Sequence, residues 1–288
     1  MDDDEKDEKP RTDEDILEES REGLDEAIER ESDMRTKMRD DLKFATLDQW
    51  PEDLRRAREG DVTNGPRPCL TIDQINQYIT QVSNEMNKNQ PSIKTRPVDD
   101  IADPQTAQVY QGLIRHIEDR SNAQVAYATS GNSAVTIGLG FVRVTTDYVS
   151  DDSFDQEILI RRIPDTFSVY LGPHIMPDGS DADKAWVFEE VPIDRFKADY
   201  PKASTKDEDF SSLGEIFGHG WKTDKTITVC EYFYKEYTPT TLIFLADGSK
   251  MPQQNYDEIE GQKPEITGKR QTNKSVVRWC KHTGAEIL

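Results

Sequence analysis

The sequence predicts a mixed α+β protein in which helices dominate the first half and strands dominate the second. Apolar residues recur at helical spacing through much of the chain up to about residue 137. Segments with alternating apolar residues become frequent from about residue 141 onward. The 288 residues are 34% hydrophobic and carry a net charge of -21. The chain can therefore hold one large or two small domains, and it is strongly acidic.

The first 60 residues predict an acidic tail followed by a helical arm. Residues 1–13 are a charge run with almost nothing to bury, which is typical of a disordered tail. Residues 14–60 form the predicted arm, whose long first helix has only a thin apolar stripe and therefore packs on one side. That stripe consists of Leu17, Leu24, Ile28, Met38, Leu42 and Ala45. It fits a partner-binding helix or a helix lying across its own domain, and a second short helix is expected from Pro51 to Gly60.

Residues 61–201 are predicted to form an α+β core. A helix from Thr71 to Asn89 is expected, because Thr71 can cap it and Pro91 forbids its continuation. Its apolar face consists of Ile72, Ile75, Ile79, Val82 and Met86. The residues from 92 to 98 then alternate as a short strand does.

Two more helices and a strand are expected next. Asp103 followed by Pro104 is a helix-start signal. The buried face of that helix is predicted to consist of Ala107, Tyr110, Leu113, Ile114 and Ile117. Another helix follows Ser121 and ends in a run of small residues, after which residues 141–149 alternate as a strand.

Strands dominate the pattern beyond Tyr148. The predicted strands of the core cover residues 154–163, 167–171 and 186–191. A short helix is expected from Pro192 to Pro201, and the polar residues 202–224 predict a mobile loop.

Residues 225–288 are predicted to be a β-rich segment. Residues 227–238 and 240–246 read as two paired strands, with Pro239 in a short connection between them. A strand from Ser275 to His282 is followed by a turn and by the first residues of a return strand. Because natural proteins avoid unpaired apolar edges, we expect the chain to be a truncated fragment of a longer protein.

Several segments stand in an order that is similar to a known family. They include RPCLTIDQI at 67–75, QGLIRHIEDRSNA at 111–123 and AVTIGLGFVRVTTDY at 134–148. These segments resemble the N-terminal half of the portal proteins of P22-like, short-tailed bacteriophages, and the similarity runs with gaps from about Asp41 to Pro201. The resemblance implies a helical arm followed by a wing-like α+β portal body, with the stem and barrel regions missing.

The resemblance also implies a function. Portal proteins form a homo-oligomeric ring, expected to be a dodecamer, at the capsid vertex through which double-stranded DNA is packaged and ejected. The implied partners are terminase, scaffolding and coat proteins, and a tail adaptor; the protein would be part of the virion and assemble in the bacterial host cytoplasm. No P-loop motif is present in the sequence, and the resemblance assigns ATP hydrolysis to the terminase. The alternatives are another phage head-tail structural or adaptor protein, and a carboxylate-dependent hydrolase.

No catalytic residue, metal ligand or cofactor site is predicted, and we expect a protein that is not an enzyme. GNSAV at 131–135 has valine in place of the second glycine of a nucleophile elbow. Gly138 and Gly140 are followed by Arg143 where a dinucleotide-binding motif needs glycine. The loop from Asp178 to Glu189 fails the calcium-loop register, because alanine takes the fifth position.

The histidines and cysteines show no metal-binding spacing. The residues concerned are His116, His174, His219, His282, Cys69, Cys230 and Cys280. We expect surface or locally hydrogen-bonded histidines and reduced thiols. No apolar run is long enough for a membrane helix, and the acidic start has no signal-peptide pattern.

One basic stretch departs from the acidic whole, which would otherwise repel phosphate. Its predicted nucleic-acid contact residues are Lys269, Arg270, Lys274, Arg278 and Lys281. Trp279 lies among them, and basic residues interleaved with an aromatic can follow a nucleic-acid backbone. The alternative is a solvated strand face with a half-buried tryptophan, since only Glu265 opposes these cations in the local sequence.

Overall fold

The computed structural model describes residues 11–60, 65–89, 92–97, 103–204, 221–246, 248–259 and 263–288. Contacts divide the chain into two compact units. The sheet unit consists of Met1–Arg30 and Ser168–Leu288, and the helical unit consists of Glu31–Phe167. The elements confirm the predicted α+β class, whereas the domain boundaries drawn from the sequence stay a prediction.

The helices are α1 (Asp13–Ala45), α2 (Glu52–Glu59), α3 (Asn76–Lys88), α4 (Pro104–Arg120), α5 (Ala123–Ile137), α6 (Ile193–Asp199) and α7 (Gln253–Asp257). Helix α1 begins with a reciprocal cap, in which the Asp15 N–H donates to Thr12 Oγ1 and the Thr12 N–H donates to the Asp15 carboxylate. The predicted start of α4 is confirmed, since the Asp103 carboxylate accepts from the N–H groups of Gln105 and Thr106.

The strands are β1 (Val142–Tyr148), β2 (Gln156–Arg162), β3 (Val169–Leu171), β4 (Lys184–Pro192), β5 (Thr226–Leu245), β6 (Lys250–Pro252) and β7 (Ile266–His282). Strands β1 and β2 form an antiparallel hairpin in the helical unit. The sheet unit has a five-stranded sheet in the order β3-β4-β5-β6, and β7 pairs with β5. The strands predicted at residues 141–149, 154–163, 167–171 and 186–191, and the helix after Pro192, are confirmed.

The helical unit has a small core in which α5 packs on β2. Ala123 and Ala126 are buried there with Ile160, and Ile117 packs against them. Small side chains on α5 permit this close approach. The end of the helix is equally tight, because a Cβ atom on Gly140 would lie 2.0 Å from the Ser130 carbonyl oxygen.

Three expectations for the helical unit are wrong. Helix α3 begins at Asn76 rather than at Thr71, because it is the Asp73 carboxylate that accepts from the Asn76 N–H. Residues 92–97 form no strand: the Thr95 N–H donates to the Gln111 side chain and its hydroxyl donates to Ala107 O, so α4 takes these hydrogen bonds. Val98 lies outside the described residues.

The third error concerns the predicted apolar faces of α3 and α4. Ser83 is the buried residue of α3, and α4 has none among the residues that the structure describes. The exposed members of the two faces are Ile72, Ile75, Val82, Met86, Tyr110 and Leu113. Helical periodicity predicted the helices correctly here, but it did not predict what covers their apolar faces.

The core of the sheet unit lies between the sheet and the first part of α1. Trp186 on β4 stacks on Tyr232 of β5, with ring centroids 5.4 Å apart, and both are 0% exposed. Leu24 and Ala27 of α1 are buried against this aromatic layer. Of the two interpretations of α1, a helix lying across its own domain is therefore the one that describes its N-terminal part.

The pair of strands predicted around Pro239 is wrong, because β5 is one continuous strand of 20 residues. Pro239 pairs with Asn273 of β7. On the other side of β5, β4 pairs no further than Tyr234 and β6 begins pairing at Leu242. A proline is tolerated where a strand has a partner on one side only, since no ladder hydrogen bond is lost.

The end of the chain confirms the predicted strand and turn, whereas the return forms a single bridge and no strand. Strand β7 starts at Ile266, nine residues before the predicted Ser275, because β5 pairs with it over almost its whole length. After the turn, Ile287 bridges His282, and the Leu288 N–H donates to Lys281 O.

Two predicted segments fall mainly outside the described residues. They are the acidic tail, of which residues 1–10 are not described, and the loop 202–224, of which residues 205–220 are not described. Of the part of the tail that is described, Asp13 already belongs to α1. None of the helices in the described ranges is both long enough and apolar enough to cross a lipid bilayer.

Candidate functional site

The predicted basic residues lie on β7, but they do not share one face. Side chains alternate between the two faces of a strand. Arg270, Lys274 and Arg278 therefore belong to one face, whereas Lys269 and Lys281 belong to the other, together with Trp279. The aromatic ring is thus separated from the row of three cations.

Two of these five cations are neutralised by β5. Arg278 Nε lies 3.0 Å from Glu236 Oε2, and Lys281 Nζ lies 3.0 Å from Glu231 Oε1. The local sequence showed only Glu265 as an opposing charge, because the pairing of β5 with β7 brings in acids from more than 40 positions earlier. Lys269, Arg270 and Lys274 form no ion pair in the described part of the chain. Nucleic-acid contact by these residues stays a prediction.

The face that carries Trp279 is more exposed than the alternative interpretation assumed. Trp279 is 60% exposed, and Val277 and Tyr237 nearby are 63% and 51% exposed. The Tyr237 hydroxyl donates to Asp183 Oδ1 at 2.6 Å. This side of the ribbon therefore presents apolar surface beside hydrogen-bonded polar groups.

A groove of about 370 Å³ lies at the far end of β5 and β7. Phe244 forms its floor, with Lys250 of β6 paired on one side and Gly268 of β7 on the other. The Lys250 Nζ atom lies 5.9 Å from the centre of the Phe244 ring. Lys269 and Arg270, two of the predicted contact residues, line the same groove. Sequence reasoning missed Lys250 and Phe244, because only the strand register brings them beside Arg270.

A buried hydrogen-bond network joins α1 to the end of β7. His282 Nδ1 lies 3.0 Å from Thr283 O, so Nδ1 is the protonated nitrogen and donates. Nε2 therefore accepts from the Ser20 hydroxyl at 2.9 Å, and Ser20 Oγ accepts from Trp186 Nε1 at 3.0 Å. Burial lowers the pKa of His282 to about 4. The neutral ring and the buried serine act as a structural link between distant parts of the sequence.

The remaining motifs take structural roles in the described residues. GNSAV lies inside α5, and Gly138 ends that helix with a φ of 87°. The Asp181 carboxylate accepts from the N–H groups of Ile175 and Met176, and Asp183 accepts from Tyr237 and pairs with Lys235. These carboxylates therefore stabilise the loop before β4, and their partners are groups of the protein itself.

The thiols and histidines do not converge. Cys230 is buried, whereas Cys69 and Cys280 are half-buried, and all three are free. Burial raises the pKa of Cys230 well above its usual value and that of Cys280 to about 11, so both are protonated at neutral pH. His219 lies outside the described residues. Within the described ranges, no three His, Cys, Asp or Glu side chains are arranged to hold a metal ion.

Two comparisons with known proteins both find phage portal proteins. The sequence model of the phage P22-like portal protein family matches residues 21–288. The chain is also similar to a protein named "Portal protein" from Acyrthosiphon pisum secondary endosymbiont phage 1, with 25% identity over 171 residues. That alignment covers 58% of this chain and 24% of the relative, so the chain spans only part of the length of the relative it matches.

Proposed function

The chain belongs to the family of phage P22-like portal proteins, and from this premise we propose that it forms part of the ring at one vertex of a phage capsid. Double-stranded DNA passes through that ring during packaging and ejection. The observation that carries the proposal is the match of the family model to residues 21–288. The mixed helical and β architecture is consistent with it.

The proposed partners follow from the same premise. Identical subunits form the ring, scaffolding and coat proteins assemble the head around it, terminase docks on it during packaging, and a tail adaptor binds afterwards. The family is structural, and in this proposal the terminase hydrolyses ATP. The portal subunit then acts by its position in the virion, after assembly in the cytoplasm of the bacterial host.

Negative charge suits a conduit for DNA. The net charge of -21 repels phosphate, so DNA passes without strong adhesion to the subunit surface. In a ring of identical subunits this repulsion is repeated around the axis. The acidic composition therefore supports transport of DNA rather than its capture.

Electron microscopy of the complete gene product tests the proposal. We expect closed rings of identical subunits, because a contact between two different complementary faces gives a ring when its rotation closes. The matched functional measurement is DNA packaging in phage that lack the gene, with and without the protein supplied in trans. A product that stays monomeric at high concentration, or phage that package DNA normally without it, would contradict the proposal.

A further inference from the structure

We propose that the far end of a two-stranded arm in the sheet unit docks on the acidic face of helix α1 of a neighbouring copy of this chain. The arm consists of residues 235–245 of β5 and residues 266–277 of β7. The acidic face consists of Glu18, Glu22, Glu26 and Glu29. The inference rests on the ring proposed above and identifies two surfaces that join its subunits.

The arm extends beyond the core of its own unit. Pairing between β4 and β5 ends at Tyr234, and from there to Leu245 the strand covers about 35 Å. Between residues 236 and 241, β7 is the strand partner of β5 in the described part of the chain. A two-stranded ribbon is marginally stable in water unless another surface packs against it. An arm of this kind gains stability when a second molecule packs against it.

The end of the arm is built as a small, well-packed platform. Ile243 and Leu245 are 0% exposed, and β6 and α7 contact this part of β5. Strand alternation places Phe244 on the face opposite Ile243, and Phe244 is 42% exposed. Gly268 lies beside Phe244 on β7, so no side chain covers that flank of the ring. The result is an open groove with a fixed floor.

Three cations on the groove side of the arm are not neutralised. Lys250 and Arg270 flank Phe244, and Lys274 follows on the same face of β7. None of the three forms an ion pair in the described residues, whereas Arg278 and Lys281 on the same strand do. The whole chain has 57 acidic residues against 36 basic ones. Unpaired cations in so acidic a chain favour an acidic partner.

The first half of α1 offers such a partner. Leu17, Leu24 and Ala27 bury one side of the helix against the sheet, and the four glutamates are exposed on it. Glu18, Glu22 and Glu26 repeat at i,i+4 spacing, where like charges repel each other and destabilise a helix. Lys184 of the same chain interacts electrostatically with Glu22 and Glu26 and offsets part of this repulsion. Cations from a second molecule would offset more of it.

The two surfaces suit a ring because they are different from each other. A contact between unlike faces is heterologous, and its repetition gives a ring where the rotation closes and an open filament where it does not. Each copy offers one arm and one acidic face, so every subunit makes the contact twice. No ion pair joins these two surfaces within the described residues of one chain, which leaves both for a neighbour.

Charge exchange in the complete gene product tests the contact. One variant reverses the arm (Lys250→Glu with Arg270→Glu), a second reverses the helix (Glu18→Lys with Glu22→Lys), and a third combines all four changes. Matched controls change the same charge elsewhere: Lys197→Glu with Lys225→Glu, and Asp40→Lys with Asp41→Lys. Lys197 and Lys225 are exposed and lie outside both the arm and the acidic face. Ring assembly is measured by mass photometry and electron microscopy over a range of concentrations, and folding by circular dichroism.

We expect each two-site variant to raise the protein concentration for half-assembly by about tenfold, because like charges then face each other across the interface. The combined variant restores assembly, and both controls assemble like the original protein. If the two-site variants assemble normally, or if the combined variant stays impaired while folded, the contact is wrong although the ring remains. If the arm variant assembles normally but loses binding to duplex DNA, the cations serve nucleic acid instead and the inference is overturned. If the original protein forms no rings, the proposed function fails first.

Discussion

The sheet unit and the helical unit use apolar residues in different ways. In the sheet unit, Trp186 and Tyr232 are large aromatic residues with 0% exposure. In the helical unit, three of the four buried residues of α5 are small (Ala123, Ala126 and Gly131), whereas Leu113 of α4 is 50% exposed. The comparison shows that apolar periodicity predicts a helix but does not predict its burial. Burial depends on whether the fold brings a sheet to the apolar face.

The difference also separates two sources of stability. A buried aromatic residue removes 150 to 250 Å² from water, roughly, so the sheet unit gains mainly from hydrophobic burial. The helical unit has little such area, and close backbone contacts such as that between Gly140 and Ser130 define its geometry. We therefore expect volume changes to damage the sheet unit through cavities and the helical unit through clashes.

Trp186→Ala should have the largest effect on stability, and the effect lies in the sheet unit. We expect it to lower the free energy of unfolding by about 4 kcal/mol, because it leaves a large cavity beneath α1. It also removes the hydrogen bond that Trp186 Nε1 donates to Ser20. Urea unfolding followed by circular dichroism measures the loss. The matched change in the helical unit, Leu113→Ala, should cost less than about 1 kcal/mol, and equal losses in the two variants would contradict the comparison.

The buried histidine gives the sheet unit a pH dependence. The pKa of His282 falls from 6.5 to about 4 on folding. Between these pH values the unfolded chain binds a proton that the folded chain does not, so stability decreases as the pH falls through this window. The loss amounts to roughly 3 kcal/mol when the window is crossed completely.

Unfolding by urea at several pH values between 4.5 and 7.5 measures this dependence. His282→Gln should reduce its slope, whereas His116→Gln, at an exposed position on α4, should leave it unchanged. Carboxylates also titrate at low pH, so the test is the difference between the variants in the slope of unfolding free energy against pH. An identical slope in the original protein and in His282→Gln would show that the ring is not held neutral by burial.

Substitutions of two glycines in the helical unit should change its stability in opposite directions. Gly140→Ala should lower the free energy of unfolding by about 2 kcal/mol, because its Cβ atom would clash with the Ser130 carbonyl and the backbone would have to shift. Gly112 lies inside α4 with nothing within 4 Å of a Cβ atom. Gly112→Ala should therefore raise stability by about 1 kcal/mol through helix propensity. Thermal unfolding of the two variants measures both signs, and a neutral Gly140→Ala would contradict the clash.

Local signals explain which elements could be predicted from the sequence. Asp103 with Pro104 and the small residues before Gly138 mark real helix ends, because capping and left-handed backbone are local properties. Alternation after Phe141 marks a real strand because β2 is near in sequence. The segment from 92 to 97 alternates just as well, yet Gln111 takes its hydrogen bonds. Which partner a segment finds is a property of the whole fold.

The candidate site shows the same limit. The alternation that separates Arg270 and Lys274 from Lys269 follows from the strand prediction, so the two faces could have been derived from the sequence. The ion pair of Arg278 with Glu236 could not, because β5 was expected to break at Pro239. The position of Lys250 beside Phe244 needs the register of β6, a strand of three residues with no sequence signal of its own.

The link between Ser20 and His282 also has a consequence for synthesis. These two residues are separated by 262 positions. A ribosome that adds 5 to 20 residues per second needs roughly 13 to 52 s to go from one to the other. During that interval β7 has not yet been synthesised. Helix α1 therefore lacks the hydrogen bond between Ser20 and His282, and its apolar side, with Leu17 and Leu24, is not yet fully packed. The nascent chain must therefore keep its first helix soluble, and the eight exposed acidic residues between Asp13 and Glu29 provide the charge that does so.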